Sequence, residues 1–280
     1  MAIAQAKLIV PRTPRMRRGF TLIEMIVTIL LLAILSAGIT RFIEVGSEIY
    51  VDVAAREQLL SESRFVLERI TRDIRSAVPN SVRVRSGAVS GAQVQCLELL
   101  PLRGSASYID LPVLTAAAQA QVIKINNYSF SSGDQMLVYP LLTDHVYANS
   151  GRRHTVTAIS DVSGEEDLQQ IDFAAATQFA ADSPGKRFYL AAQPLSYCVR
   201  NGSVYLHLNY GYQSSQPLFA SGGLLMATQV SNNLIAEPVF RFAGATLNRN
   251  ALVIVRLRLT RVDDAETLAY NHEVQVPNVP

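Results

Sequence analysis

A chain of 280 residues with 49% hydrophobic and 17% charged side chains has room for one large or two small domains and enough apolar content to pack a core, which excludes a disordered or collagen-like polymer. Its net charge is +2, but Lys7, Arg12, Arg15, Arg17 and Arg18 stand in the first nineteen residues without an acid; the remainder carries −3 and offers no basic surface for nucleic acid. Two cysteines, Cys96 and Cys198, with no Cys-x-x-Cys pair, exclude zinc ribbons and thioredoxin-like redox motifs.

The basic run ends in Arg17-Arg18-Gly19 and passes directly into Phe20-Thr21-Leu22-Ile23-Glu24. From Phe20 to Ile39 the one charged residue is Glu24. About twenty helical residues at ~1.5 Å each span ~30 Å, the thickness of a bilayer's hydrocarbon. Basic residues precede the span and Glu44, Glu48 and Asp52 come after it, so the positive-inside rule keeps the N-terminus cytoplasmic and exports the chain beyond residue 40. A cleaved secretory signal has a shorter apolar core, ~7–15 residues, and a better small-residue site than Leu35-Ser36-Ala37. An ordinary signal anchor fits the length but has no use for Glu24, which costs about 2.5–3.5 kcal/mol to insert.

Gly19-Phe20-Thr21-Leu22-Ile23-Glu24 after a basic leader resembles the class III signal of type IV pilins and type II secretion pseudopilins. The resemblance implies cleavage by a prepilin peptidase between Gly19 and Phe20, N-methylation of Phe20, and pairing of Glu24 with the Phe20 amine of a neighbouring subunit. A buried carboxylate left unpaired would be strongly unfavourable. Where that family often carries a helix-bending proline this chain has Arg41, and only Gly38 and Gly46 loosen the helix. The expected organisation is a basic cytoplasmic leader, 1–19, that is removed; a transmembrane and polymerisation segment, 20–39; an amphipathic periplasmic half of the helix, 40–78; and a β-rich periplasmic domain, 79–280.

No proline occurs between Pro14 and Pro79, which predicts a helix of about 58 residues, ~87 Å long. Leu59, Val66, Ile70, Ile74 and Ala77 recur at helical spacing, with Leu60 and Leu67 alongside, and form one apolar face. Charged residues cover the rest, including the i,i+4 pairs Arg64/Glu68, Glu68/Arg72 and Arg69/Asp73, each worth ~0.3 kcal/mol.

After Pro79 the period becomes alternating. Strands are expected over 81–84, 94–101, 122–125, 135–141, 154–159, 168–173, 187–200, 203–212, 224–230, 239–242, 251–261 and 270–276, without a βαβ rhythm. The fold class is α+β: a long helix packed by its amphipathic half on an antiparallel sheet. Asn201-Gly202 predicts a two-residue type I′ turn that sets Val199 opposite Val204, Tyr197 opposite Leu206 and Leu195 opposite Leu208. Cys198 then lies on the other, outer face, and the alternation of Cys96-Leu97-Glu98-Leu99 puts Cys96 there too. In an oxidising periplasm a Cys96–Cys198 disulfide is expected; two buried free thiols are the alternative. Arg256 and Arg258 read as a wet strand face, and Ala116–Ala118 and Ala174–Ala176 as loop or short helix.

No enzyme is expected. His145, His154, His207 and His272 lack metal-ligand spacing, and no H-E-x-x-H, G-x-S-x-G or Walker A pattern occurs, so neither metal nor cofactor is assigned. Asp161, Glu165, Glu166 and Asp167 read as a solvated turn without the ordered spacing of a calcium loop. Arg152-Arg153-His154 reads as an exposed basic turn.

A second resemblance is softer. Gln95 to Pro101, Asp182 to Leu190 and Pro194 to Cys198 look like the MshO-type minor pilins of the mannose-sensitive haemagglutinin (MSHA) pilus, and are also similar to J-type minor pseudopilins of type II secretion. It implies a low-abundance subunit that initiates or caps a fibre. Its partners would be the prepilin peptidase, other major and minor pilins and an inner-membrane assembly platform; a tip adhesin binding a surface ligand is a further alternative.

Overall fold

The structure, a computed structural model, describes residues 19–126, 128–245, 250–261 and 266–276. The leader expected over 1–19 lies outside the described residues except for Gly19. Contacts divide the chain into two units, Met1–Glu57 and Gln58–Pro280. In the first, helix α1 (Leu22–Arg75) begins and runs through Gly38, Arg41 and Gly46 without interruption. Every side chain from Phe20 to Gln58 is exposed.

In the second unit the same helix becomes one-sided. Leu59, Val66, Ile70 and Ile74 are buried, and Ala77 just beyond the helix joins them. Ser63 completes the stripe: its hydroxyl donates to the Leu60 carbonyl and accepts from the Tyr270 hydroxyl, so the polar atom is satisfied where it is buried. Arg69 and Asp73 form an ion pair at 3.2 Å, and Tyr197 donates to Asp73 at 2.6 Å.

The β-rich part is not one sheet. Strands β1 (Arg83–Val89), β2 (Ala92–Leu99), β9 (Leu195–Arg200), β10 (Ser203–His207) and β11 (Leu224–Ala227) make a five-stranded antiparallel sheet in that order. Strands β12 (Phe240–Ala243), β13 (Ala251–Thr260) and β14 (Thr267–Val276) make a second. Together they cover the helix stripe: Leu97, Leu99, Tyr197 and Val199 of one sheet share a core with Val253, Val255, Leu257 and Val274 of the other. The carboxamide of Gln95 joins the sheets by donating to the Phe240 carbonyl and accepting from its amide, at 3.0 and 2.9 Å, as a strand backbone would.

Between β2 and β9 the chain makes a separate closed barrel, in the order β3 (Leu102–Asp110), β4 (Ala117–Ile123), β7 (Leu168–Thr177), β6 (Arg153–Asp161), β5 (Gln135–Val138) and β8 (Arg187–Ala191). It has its own core, with Val122, Met136, Ile171 and Phe188 at its centre. The chain enters it past Pro101 and leaves it before Pro194, residues that cannot donate to a ladder. The two passages are bonded to each other, Ala192 N–H to the Pro101 carbonyl at 3.1 Å. A short helix, α2 (Thr143–Tyr147), bridges β5 and β6.

Several expectations are corrected by this arrangement. The single strand expected over 187–200 is two strands in different sheets, parted at Ala192–Pro194. Register shifts beside Gly104, Ile109, Ala118 and Thr157 bend the barrel strands; bulges of this kind add the twist that closure needs but leave no mark in an alternating pattern. Strand β3, rich in small and polar residues, has no counterpart among the expected strands. Ala117–Ala118 and Ala174–Ala176 are strand residues of β4 and β7, not loop or short helix. The Asn201-Gly202 turn has positive φ at both residues, 47° and 69°, as a type I′ turn requires. It sets Val199 opposite Val204 and Tyr197 opposite Leu206. Leu195 does not meet Leu208, because β10 ends at His207 and Asn209, at φ 57°, turns the chain away; Leu208 is half exposed.

Candidate functional site

The N-terminal segment is built around the first turn of α1. Thr21 precedes the helix and its hydroxyl accepts from the Glu24 amide at 3.3 Å, while its carbonyl accepts from Met25 N–H at 3.2 Å. Thr21 is thus the N-cap and Glu24 the third helical residue, the positions of a capping box. The carboxylate also sits where the positive end of the helix dipole favours it. Sequence reading assigned no role to Thr21, although Thr-x-x-Glu before an apolar run carries the signal.

Past this turn the polar atoms are silenced locally. Thr28, Ser36 and Thr40 each donate to a carbonyl one turn back, Met25, Leu32 and Ser36, at 2.7–2.9 Å. The segment therefore presents apolar surface on all sides, with Phe20, Leu22 and Ile34 more than two-thirds exposed, and is long and apolar enough to cross a membrane. Glu24 is the exception: its carboxylate has no hydrogen-bond or ionic partner among the described residues. Gly19 stands before the helix, with none of the described residues within 4 Å of where a Cβ would be. Gly19, Phe20 and Glu24 are thus brought together on one exposed end.

Cys96 and Cys198 lie far along the chain from that end. They face each other across β2 and β9 and are joined by a disulfide. Their sheet face is turned from the helix, yet it is not open. A strap over 209–223 crosses it, and Leu218 and Phe219 pack against the cluster of Val94, Cys96 and Cys198. The strap is fastened through its carbonyls: Arg83 donates to Gln213 and Ser214, Arg85 to Gln216, and Arg200 to Ala220 and Gly222. Gln216 donates back to the Cys96 carbonyl at 2.9 Å. No periodic signal marks such a strap, since its bonds run from side chain to main chain between segments remote in sequence.

Two ionisable groups lie under it. Glu98 is fully buried; burial pushes its carboxyl up, against the pull of Arg83 at 2.5 Å and of the Tyr210 hydroxyl at 2.9 Å. His207 is stacked on Phe219 with ring centroids 4.0 Å apart, and burial, aided by the Arg200 charge, lowers it to about 4. Its Nε2 has no hydrogen-bond partner among the described residues and lies against Gly223, where a Cβ would come within 2.7 Å of the ring. The Arg152–His154 segment, expected as an exposed basic turn, is half-buried instead. Arg153 lies 3.8 Å over the Tyr212 ring and His154 packs edge-on against Phe179. Arg258 is on a wet face as expected, paired with Glu237 at 3.4 Å. Among the described residues no three His, Cys, Asp or Glu converge as metal ligands.

A family model for the prokaryotic N-terminal methylation motif matches residues 14–40. No curated protein and no solved structure matches the chain. That motif implies processing by a prepilin peptidase and assembly with other pilins. The chain therefore carries a class III prepilin signal on a single N-terminal apolar helix, joined to an α+β body of antiparallel sheets, which supports a subunit of the type IV pilin or pseudopilin kind.

Proposed function

We propose that this chain is a minor, pilin-like subunit of an MSHA-type type IV pilus. The peptidase cuts between Gly19 and Phe20, Phe20 is N-methylated, and the protein stays in the inner membrane by its helix with residues beyond 40 in the periplasm. Assembly then brings its helix among those of other pilins, where Glu24 takes the Phe20 amine of a neighbour. The observation that carries this reading is Glu24 itself, a carboxylate without a partner among the described residues on a segment apolar on every side, inside the matched motif. Salt-bridge formation in a fibre core offsets a desolvation cost that neither lipid nor a lone subunit can offset.

The large β-rich part favours a place at the fibre tip, where bulk is not repeated along a shaft. The MSHA system is favoured by the likeness of Gln95–Pro101 and Pro194–Cys198 to MshO-type minor pilins; a minor pseudopilin of type II secretion is the second reading on the same segments. The experiment is mass spectrometry of the N-terminal peptide from cells with and without prepilin peptidase. The expected product begins at Phe20 and carries one added methyl group, and is lost without the peptidase. An intact leader in wild-type cells, or cleavage after residue 37, would refute the reading.

A further inference from the structure

Strand β14 pairs with β13 along its whole length, and among the described residues no strand pairs with its other edge. The orientation of β13 shows which β14 groups open onto that edge. The amides of Arg256 and Thr260 point away from β14, to the Val239 and Gln229 carbonyls. In an antiparallel ladder the alternate residues, Val255, Leu257 and Leu259, then bond toward β14, at His272, Tyr270 and Leu268. Ala269, Asn271 and Glu273 lie between and turn their N–H and C=O groups outward.

Edges of this kind are usually guarded by proline, lysine or a bulge. Thr267–Val276 contains no proline and no lysine, and its pairing with β13 has no register shift. The open edge forms one wall of a groove of about 630 Å³ whose other wall is α1, through Leu67, Thr71 and Arg75. Arg72 lines it as well, and Glu68 is the one acid among its described lining residues. Neither Arg72 nor Arg75 makes an ion pair among the described residues.

We propose that this groove binds an extended segment of a different polypeptide as an added strand on β14. The outward amides and carbonyls of Asn271 and Glu273 supply the ladder. Arg72 and Arg75 select carboxylates, and Leu67 and Tyr270 receive alternate apolar side chains. Main-chain bonds give such a site its affinity, while alternate side chains give its specificity. The site is independent of how the N-terminus is processed.

The test uses the full chain in detergent micelles and fluorescein-labelled peptides of nine residues that alternate valine and threonine and carry either two glutamates or two lysines. Fluorescence anisotropy should show the glutamate peptide bound at least about tenfold more tightly than the lysine peptide, a difference of ~1.4 kcal/mol. Asn271→Pro, which removes one outward donor and spares the bonds to β13, should weaken binding about tenfold, whereas Asn271→Ala should leave it within about twofold. Arg72→Glu with Arg75→Glu should reverse the preference for the two peptides, which keeps the test decisive if the proline variant does not fold. Equal binding of the two peptides, binding of neither, or no loss in Asn271→Pro would overturn the proposal. So would a dimer by sedimentation that Asn271→Pro dissolves, since it would assign the edge to a second copy of this chain.

Discussion

Glu24 and Thr21 share one turn, and each constrains what the other can do. The Thr21 cap fixes where the helix starts, so the carboxylate projects from the third helical residue, close to the point at which the leader would be cut. On the proposed reading Gly19 is the residue that enters the peptidase site. At this scale Gly19→Val should block cleavage, leaving the full-length mass in membranes, while Gly19→Ala should be cut at a reduced rate; normal cleavage of the valine variant would contradict the assignment of the cut. Beneath the strap, His207 gives a second prediction. Its conjugate acid is disfavoured in the folded chain, with a pKa of about 4 against 6.5 when exposed, so the unfolded chain binds the proton first as pH falls. Stability is full above about pH 6.5 and is lost as pH drops toward 4, by at most about 3 kcal/mol. Arg200 is the charged group that lowers it, and the raised Glu98 acts in the opposite sense, losing stability as pH rises through its own range. The difference in melting temperature between the wild type and His207→Phe across pH 4–7 isolates the histidine. A constant difference would show that His207 titrates equally in both states.

Among elements, the helix was the most legible. Its stripe of Leu59, Val66, Ile70, Ile74 and Ala77 is readable because burial on a helix repeats every three or four residues, and those residues are buried against two sheets. The hairpin at Asn201-Gly202 was legible for a different reason, since a type I′ turn demands positive φ at both residues and so fixes the register. The barrel was not legible. Alternation identifies a strand but not its sheet, and β8 and β9 read as one strand because only Ala192–Pro194 separates them. The stem where the barrel joins the sheet also carries the disulfide. With a sequence separation of 102, the Cys96–Cys198 link encloses the whole barrel in its loop. In the chain-entropy view such a loop stabilises by about 4–5 kcal/mol. The Cys96→Ser, Cys198→Ser double variant, unfolded by urea in micelles, should lose up to that amount, and an unchanged midpoint would mean that Leu218 and Phe219 hold the strands together without the bond.

For the whole molecule, sequence and structure divide the work unevenly. The motif over 14–40 was readable from six residues and their neighbours because Gly19, Phe20 and Glu24 are exposed, so their identities are not dictated by this chain's own packing. The strap and the groove beside β14 were hidden for the converse reason: each depends on main-chain groups, the strap's carbonyls and the outward edge of β14, which every sequence supplies alike. The proposed function stands or falls on Glu24 being kept for a partner subunit. Expressing Glu24→Ala in cells that make the fibre, and measuring on the same samples the N-terminal mass and the amount of this chain in sheared fibres, puts that to the test. The expected result is a processed, methylated N-terminus and a loss of incorporation of about tenfold or more, with Glu24→Asp intermediate. Processed Glu24→Ala protein found in fibres at the wild-type level would contradict it.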